Sequence, residues 1–466
     1  MSLLLKRRRQ MMSNLVDMEL IFEILTDGDI IWKATSDNIA KTIQYSRNGR
    51  PWQTITATTE GVVIPVRAGE IIGWQGHNTF YAAAGETEEW KEPGEYNSWG
   101  SSTATFNVRG NIMALVDEEE FESKTTLVSP FTFARLFSGS KVVDASGLRL
   151  IATTLSENCY RSMFSGCTML TALPNLPATT ITPSCYRGMF EGCTSLTTSS
   201  VLPALVAQEN CYDYMFSGCT SLTTINMPAA TTLATYCYNG MFLGCTSLVN
   251  VPNLPAATTA KWCYINMFKG CTSIVTAPRI LSTVMANSCC VDMFNNCTSL
   301  TTATNTLSAV TTLEFGCFMG MFLGCTSLVS PPPLPILTTA NMCYKGMFKN
   351  CTSLSNAPAL PATYITQGCY AEMFMGCTSL VTAPDLLFDA LEQYGDHGGI
   401  SYCDQMFRDC TLLNFVRSYT NHTTGLNWCN NWLDGTSETG TFVKKAGATW
   451  PIGYNGIPAG WTVIEE

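Results

Sequence analysis

The sequence predicts a multidomain protein, an all-β sandwich-like domain at the N-terminus followed by a long solenoid of short parallel strands and short helices. Three observations predict it. A motif of the form C-Y-x-x-M-F-x-G-C-T-S-L recurs from Asn158 onward at a nearly constant step. All 22 cysteines lie at or beyond Cys159, so the region before them is built differently. That earlier region alternates apolar and polar residues in short runs broken by glycine turns, the pattern of β-strands. The chain accordingly divides into a basic N-terminal segment (1–17), the β domain (18–126), the repeats (127–440) and a closing segment (441–466).

At 466 residues the chain exceeds what a single core usually supports. Charged residues make up only 13%, about half the usual share, so Thr, Ser and Asn must cover much of the surface. The net charge of −10 argues against a nucleic-acid partner, which calls for a basic face. Lys6, Arg7, Arg8 and Arg9 form the one basic cluster, which reads as a solvated tail or, functionally, as an anchor to a partner. Leu3–Leu5 precede that cluster, whereas a secretion signal places its basic residues first. No segment reaches the roughly 20 apolar residues of a membrane span. No standard export signal and no spanning helix are therefore expected.

In the β domain, Thr42-Ile43-Gln44-Tyr45-Ser46 alternates, and Asn48-Gly49 marks a hairpin. Val62–Val66 is a short continuous apolar run, and Asp27-Gly28, Ala68-Gly69 and Gln75-Gly76 supply further turns. Trp32, Trp52, Trp74, Trp90 and Trp99 fall here. Aromatic clusters fill small cores or stack on sugars, and Trp52, Trp74 and Trp90 are the candidate ligand contacts. The run Asp117–Glu120 reads as an acidic linker.

The second cysteine of each repeat falls at Cys167, Cys193, Cys219, Cys245, Cys271, Cys297, Cys325, Cys351, Cys377 and Cys410. The step is 26 residues, apart from one of 28 and one of 33. A fixed period of this size signals stacked repeats. Ser140 and Thr436 stand in the cysteine place of degenerate end copies, giving about twelve coils. Within a unit, C-Y-x-x-M-F puts apolar groups at i, i+1, i+4 and i+5, which predicts a helix of about two turns capped by the following glycine. T-S-L-x-x-x-P, as in Thr246–Pro252, predicts a short strand, and L-P-A-T-T a turn with a second extended piece. One unit cannot stand alone. Ordering 26 residues costs about 1–2 kcal/mol each, more than about five buried side chains at about 1.5–3 kcal/mol each return.

The repeat resembles the BspA-like (Treponema-type) leucine-rich repeat of bacterial surface proteins, in which I-G-x-x-A-F-x-G-C-x-S-L precedes a strand and I-P. Here Cys-Tyr replaces Ile-Gly and Met-Phe replaces Ala-Phe, over roughly residues 130–440. The resemblance implies a right-handed leucine-rich-repeat-like solenoid and leaves the ligand open. Gly110-Asn111-Ile112-Met113-Ala114-Leu115 is similar to a junction between such β modules and repeats in proteins of gut Bacteroidales and their phages. The opening Lys-Arg-Arg-Arg with Met11-Met12 resembles the start of some phage virion proteins. After Asn421-His422 the composition changes, and Gly456–Val463 resembles the closing segment of similar repeat proteins, with Trp450 and Trp461 as an apolar lid.

The cysteines, mostly paired at i and i+8, read as buried thiol columns in preference to disulfides. Ser140 and Thr436 would orphan a bonded partner, and Cys290 and Cys403 stand in the tyrosine column. The spacing of eight fits no zinc site, and the only histidines are His77, His397 and His422. His397 lies near Cys403, Asp396 and Asp404, but Gln393–Gly399 is the insertion behind the 33-residue step. Tyr394 and His397 are therefore candidate contact residues on a loop. No nucleophile elbow, phosphate loop or zinc-protease motif is present, so no catalytic, cofactor or metal residues are expected.

The expectation is a non-enzymatic bacteriophage virion protein, a fibre or a capsid or tail decoration. It would be held to capsid or tail proteins by Lys6–Arg9 and bind host-surface or mucus polymers through the repeats. The expected assembly is a homo-oligomer, a trimer if it is a fibre. The alternative is a BspA-like adhesin on a bacterial surface.

Overall fold

In the computed structural model the described residues are 19–85, 93–334, 336–388, 390–391, 402–420 and 429–466. Regular structure among them is almost entirely β, and the chain clusters into two compact units, Met1–Ala229 and Ala230–Glu466.

The first unit opens with β1 (Leu20–Ile24), β2 (Gly28–Ala34), β3 (Thr42–Arg47), β4 (Gln53–Thr56), β5 (Val62–Val66), β6 (Ile71–Gly76), β7 (Ala82–Ala84), β8 (Pro93–Ser98), β9 (Phe106–Asn111) and β10 (Val142–Arg149). One sheet runs β10-β9-β1-β6-β3-β4 and a second β5-β2-β8-β7. The β3–β4 hairpin turns on Asn48 and Gly49, both at positive φ (52° and 72°), as a turn matched to strand twist requires. Alternation in β2 buries Ile30, Trp32 and Ala34 while their neighbours stay partly exposed. The two sheets share an aromatic core. Phe22 lies 4.5 Å from Phe106 and 4.9 Å from Trp99, and Trp99 lies 4.7 Å from Trp32 and 5.1 Å from Trp74.

That core runs directly into the first repeat. Trp99 stacks on Phe137 at 5.3 Å, and its backbone N–H donates to the Leu136 carbonyl at 3.0 Å. Gly100 passes so close that a Cβ there would meet the Ser138 carbonyl oxygen at 2.1 Å. β10 pairs in parallel with β9, and Arg109 of β9 holds Asp144 of β10 at 2.8 Å and Glu23 of β1 at 3.5 Å.

The repeats do not form the expected right-handed solenoid of strands and short helices. The C-Y-x-x-M-F segments contain no helix. They are runs of consecutive turns with a left-handed residue at every fourth position, as at Asn158 (φ 55°), Ser162 (φ 51°) and Gly166 (φ 73°). An α-helix needs negative φ throughout. Here backbone N–H groups alternate instead. Those of Arg161, Met163 and Ser165 close turns onto Asn158, Tyr160 and Ser162, whereas those of Tyr160, Ser162, Phe164 and Gly166 donate to Cys185, Arg187, Met189 and Glu191 of the next repeat. The expected strands shrink to isolated parallel bridges such as Thr154–Thr180 and Thr198–Thr224. Small separate sheets replace the one continuous sheet of a solenoid.

In the second unit the same turn runs recur. β11 (Val284–Met285) pairs with β12 (Thr312–Leu313), and β13 (Tyr364–Ile365) with β14 (Ala390–Leu391). β15 (Phe415–Ser418), β16 (Gly440–Lys444) and β17 (Trp461–Glu465) form a parallel sheet near the end of the chain. Phenylalanine rings stack from repeat to repeat, with Phe242, Phe268, Phe294, Phe322, Phe348, Phe374 and Phe407 at 5.5–5.7 Å. Where a further repeat would supply an acceptor for the Asn431 N–H, the Asn455 side-chain oxygen does so at 2.8 Å. Trp432 donates its indole N–H to the Gly456 carbonyl and stacks on Trp450 at 5.4 Å.

The left-handed positions and the Arg109–Asp144 pair can each be tested by substitution. Gly192 sits at φ 69°, the place that Asn296 and Asn350 fill in other repeats. Gly192→Asn should leave the melting temperature nearly unchanged, whereas Gly192→Val should destabilise by about 1–2 kcal/mol or more in denaturant titration. Hydrogen bonding to Arg109 holds the Asp144 carboxyl at about 2, below its unfolded value of about 4. Its contribution is present above about pH 4 and is lost as pH falls through about 2. Asp144→Asn should therefore lower stability near neutral pH, and the gap from the unsubstituted chain should close towards pH 2.

Candidate functional site: a threonine-lined ladder and groove

The cysteine thiols, Cys429 apart, are withdrawn from solvent. All 22 cysteines are free thiols, and Cys429 alone is not buried. The second cysteine of each repeat turns its S–H onto a phenylalanine carbonyl of the preceding repeat, as Cys193 does onto Phe164 at 3.1 Å and Cys271 onto Phe242 at 3.0 Å. Burial pushes the thiols up, to about 11 for Cys167 and about 12 for Cys185 and Cys219. A thiol held protonated is neither a nucleophile nor a metal ligand. Among the described residues no group of three His, Cys, Asp or Glu side chains is placed to hold a metal.

Many of the charges on the turn runs pair between repeats. Arg187 meets Asp213 at 3.0 Å, Lys269 meets Asp292 at 2.8 Å, and Lys349 meets Glu372 at 2.6 Å. The bridge positions of the second unit carry none. In the second unit one exposed line reads Thr231-Thr232, Ala257-Thr258, Thr283-Val284, Thr311-Thr312, Leu337-Thr338 and Thr363-Tyr364, with Tyr364 half-buried. A second line follows the buried leucine of each repeat and exposes Val249, Val275, Val329 and Val381. Threonine hydroxyls on these lines join repeats, as Thr301 donates to the Val275 carbonyl and Thr311 to that of Thr283.

The second line opens into a groove of about 590 Å³ where the repeat step lengthens to 28 residues. Asn253, Thr276, Arg279, Thr302, Asn305 and Ser308 are among the residues that line it. Two residues added to a 26-residue frame cannot fit in the ladder and form an extra turn at 304–309, which makes the groove wall. A second cleft, of about 450 Å³, lies near the chain end among Asn431, Asp434, Glu438 and Tyr454. The hydroxyl and amide groups that line the first groove, joined by one guanidinium from Arg279, suit a polar partner surface.

The residues singled out from the sequence do not converge. Trp74 is fully buried between Phe22, Tyr45 and Trp99, so its ring builds the core and offers no face to a ligand. Trp52 is exposed (37%) and lies over Gly73 of β6. Lys6, Arg7, Arg8, Arg9, Trp90, Tyr394 and His397 lie outside the described residues. Sequence reasoning misses the groove, although the 28-residue step is its visible signal.

Thiol burial gives a direct test. A charged alkylating reagent at pH 8 should modify Cys429 first and leave the other thiols intact in the folded chain, while all 22 should react in denaturant, as read by intact mass.

A family model of the BspA type leucine rich repeat region, in six copies, matches residues 150–275 and 186–328. No curated protein matches the chain. Leucine-rich repeats of this kind are generally non-enzymatic modules of protein interaction. Residues 150–328 thus carry leucine-rich repeats of the BspA type, and the same cysteine and phenylalanine columns continue beyond them to Cys410.

Proposed function

We propose that the chain is a non-enzymatic adhesin displayed on a bacterial surface, where it binds a partner macromolecule through the threonine-lined ladder and groove of its second unit. The observation that carries this reading is the separation of chemistry from surface. Thiols are buried and charges pair along the turn runs, while the exposed bridge lines repeat the same hydroxyl and methyl groups. Repetition places similar weak contacts at a fixed spacing, and a polymeric partner gains avidity from them. The family match supports the cell-surface reading. Display on a phage particle through Lys6–Arg9, the other expectation from the sequence, would use the same binding mechanism. Assembly into a homo-oligomer would multiply the contacts further. No helix among the described residues is long and apolar enough to cross a membrane.

The test is antibody labelling of intact producing cells, paired with binding of the purified chain to those cells' surface polymers and to matrix proteins. Labelling of intact cells is expected. Its absence, with the chain found only in purified phage particles, would overturn the cell-surface reading. Thr276→Lys with Asn305→Lys places two charges in the groove at exposed positions. Binding should fall about tenfold or more, with stability unchanged to within about 0.5 kcal/mol.

A further inference from the structure

The left-handed position that opens each turn run is filled cheaply in most repeats. In the second unit Ser288, Gly316 and Gly368 occupy it. Three repeats depart from this, with Met342 at φ 55° and, in two consecutive repeats, the aromatic residues Tyr236 at φ 55° and Trp262 at φ 57°. A bulky side chain in this conformation is unfavourable, and glycine or asparagine would serve the backbone better. The core does not require these rings, because the buried tyrosine column beside them is already supplied by Tyr238 and Tyr264, stacked at 5.8 Å. Tyr236 and Trp262 remain half-buried and stack on each other at 4.7 Å, inclined by only 20°. Lys261 is exposed, and its ammonium lies 3.7 Å from the centre of the Trp262 ring. Among the described residues no carboxylate pairs with Lys261. The carboxylate of Glu314 is engaged by the Asn287 backbone N–H at 2.9 Å. In the repeat after Trp262 the position is taken by a small residue, Ser288, which adds no third ring to the stack.

We infer that Tyr236, Trp262 and Lys261 form a binding site for an acidic saccharide. Because the rings stack face to face, the outer face of Trp262, over which Ser288 adds no third ring, is the apolar platform for the C–H face of a pyranose once Lys261 turns to the anion. The lysine beside them, unpaired in a chain of net charge −10, supplies the counter-charge for a carboxylate or sulfate on that sugar. Cation–π contact holds the ammonium over the ring until the anion takes it. The inference deepens the surface-binding reading and rests on it for the source of the ligand, an acidic surface polysaccharide.

The experiment uses the purified full chain and three immobilised probes: hyaluronan, heparin and uncharged dextran. The chain should bind one or both acidic polymers and not dextran. Trp262→Asn and Tyr236→Asn place a residue tolerant of left-handed backbone at each position. Each should weaken binding about tenfold while leaving the melting temperature equal or higher. Lys261→Gln should weaken binding to a similar extent and flatten its dependence on salt. The inference is overturned if the unsubstituted chain binds neither acidic polymer, if it binds dextran equally, or if the three variants bind as it does. It is also overturned if Trp262→Asn melts markedly lower, since the ring would then be structural. None of these failures alters the labelling of intact cells, so the saccharide site and surface display stand or fall separately.

Discussion

Within each unit, alternate backbone N–H groups of the turn runs donate to carbonyls of the neighbouring repeat, as those of Tyr160, Ser162, Phe164 and Gly166 do. A buried N–H without a partner costs about 1–3 kcal/mol, and several arise in each run. No repeat can therefore order its own backbone. The left-handed residue at every fourth position produces this arrangement, because it turns alternate N–H groups out of the local chain and aims them along the stack. The side-chain choices follow from it. Glycine, asparagine and serine recur at the left-handed positions, and phenylalanine, methionine and cysteine fill what lies between.

The ends of such ladders need substitutes for the missing neighbour. In the first unit the β sheets provide one. The backbone N–H groups of Tyr81 and Trp99 donate to the Thr132 and Leu136 carbonyls of the first repeat, and the aromatic core around Phe22 continues into Phe137 and Phe164. In the second unit Asn455 and the tryptophans of the closing segment perform the same task with side chains. The cysteine column belongs to this logic as well. A thiol is small enough for the 5–6 Å spacing of stacked rings, and its weak donor supplies a second hydrogen bond to a carbonyl that already closes a turn, as at Phe164.

Because backbone and core are committed to stacking, function is left to positions the ladder does not constrain. These are the bridge lines, the extra turn at the 28-residue step, and the left-handed positions where a repeat departs from glycine or asparagine. Each departure from the repeat costs some regularity or some strain, which makes it informative. The extra turn opens a groove, and Tyr236 with Trp262 adds a half-buried aromatic stack.

The sequence by itself determined the repeat, its period, its degenerate end copies and the identity of the buried residues, because a 26-residue repetition of large apolar side chains has no use except shared burial. It also marked the Asn48-Gly49 hairpin, whose backbone angles only such residues adopt readily. The local conformation of the repeat was decided by the tertiary structure. Apolar residues at i, i+1, i+4 and i+5 suit a helix, but Cys167 lies eight residues after Cys159 and would drift about 80° around a helix from it. A period of four keeps both on one line, and only a neighbouring repeat that accepts the outward N–H groups makes that period stable. The aromatic residues divided in the same way. Trp74 and Trp52 look alike in sequence, and the pairing of β6 between β1 and β3 buries the first while the second stays at the surface. Which rings face solvent depends on strand order, and strand order is a property of contacts far apart in the chain.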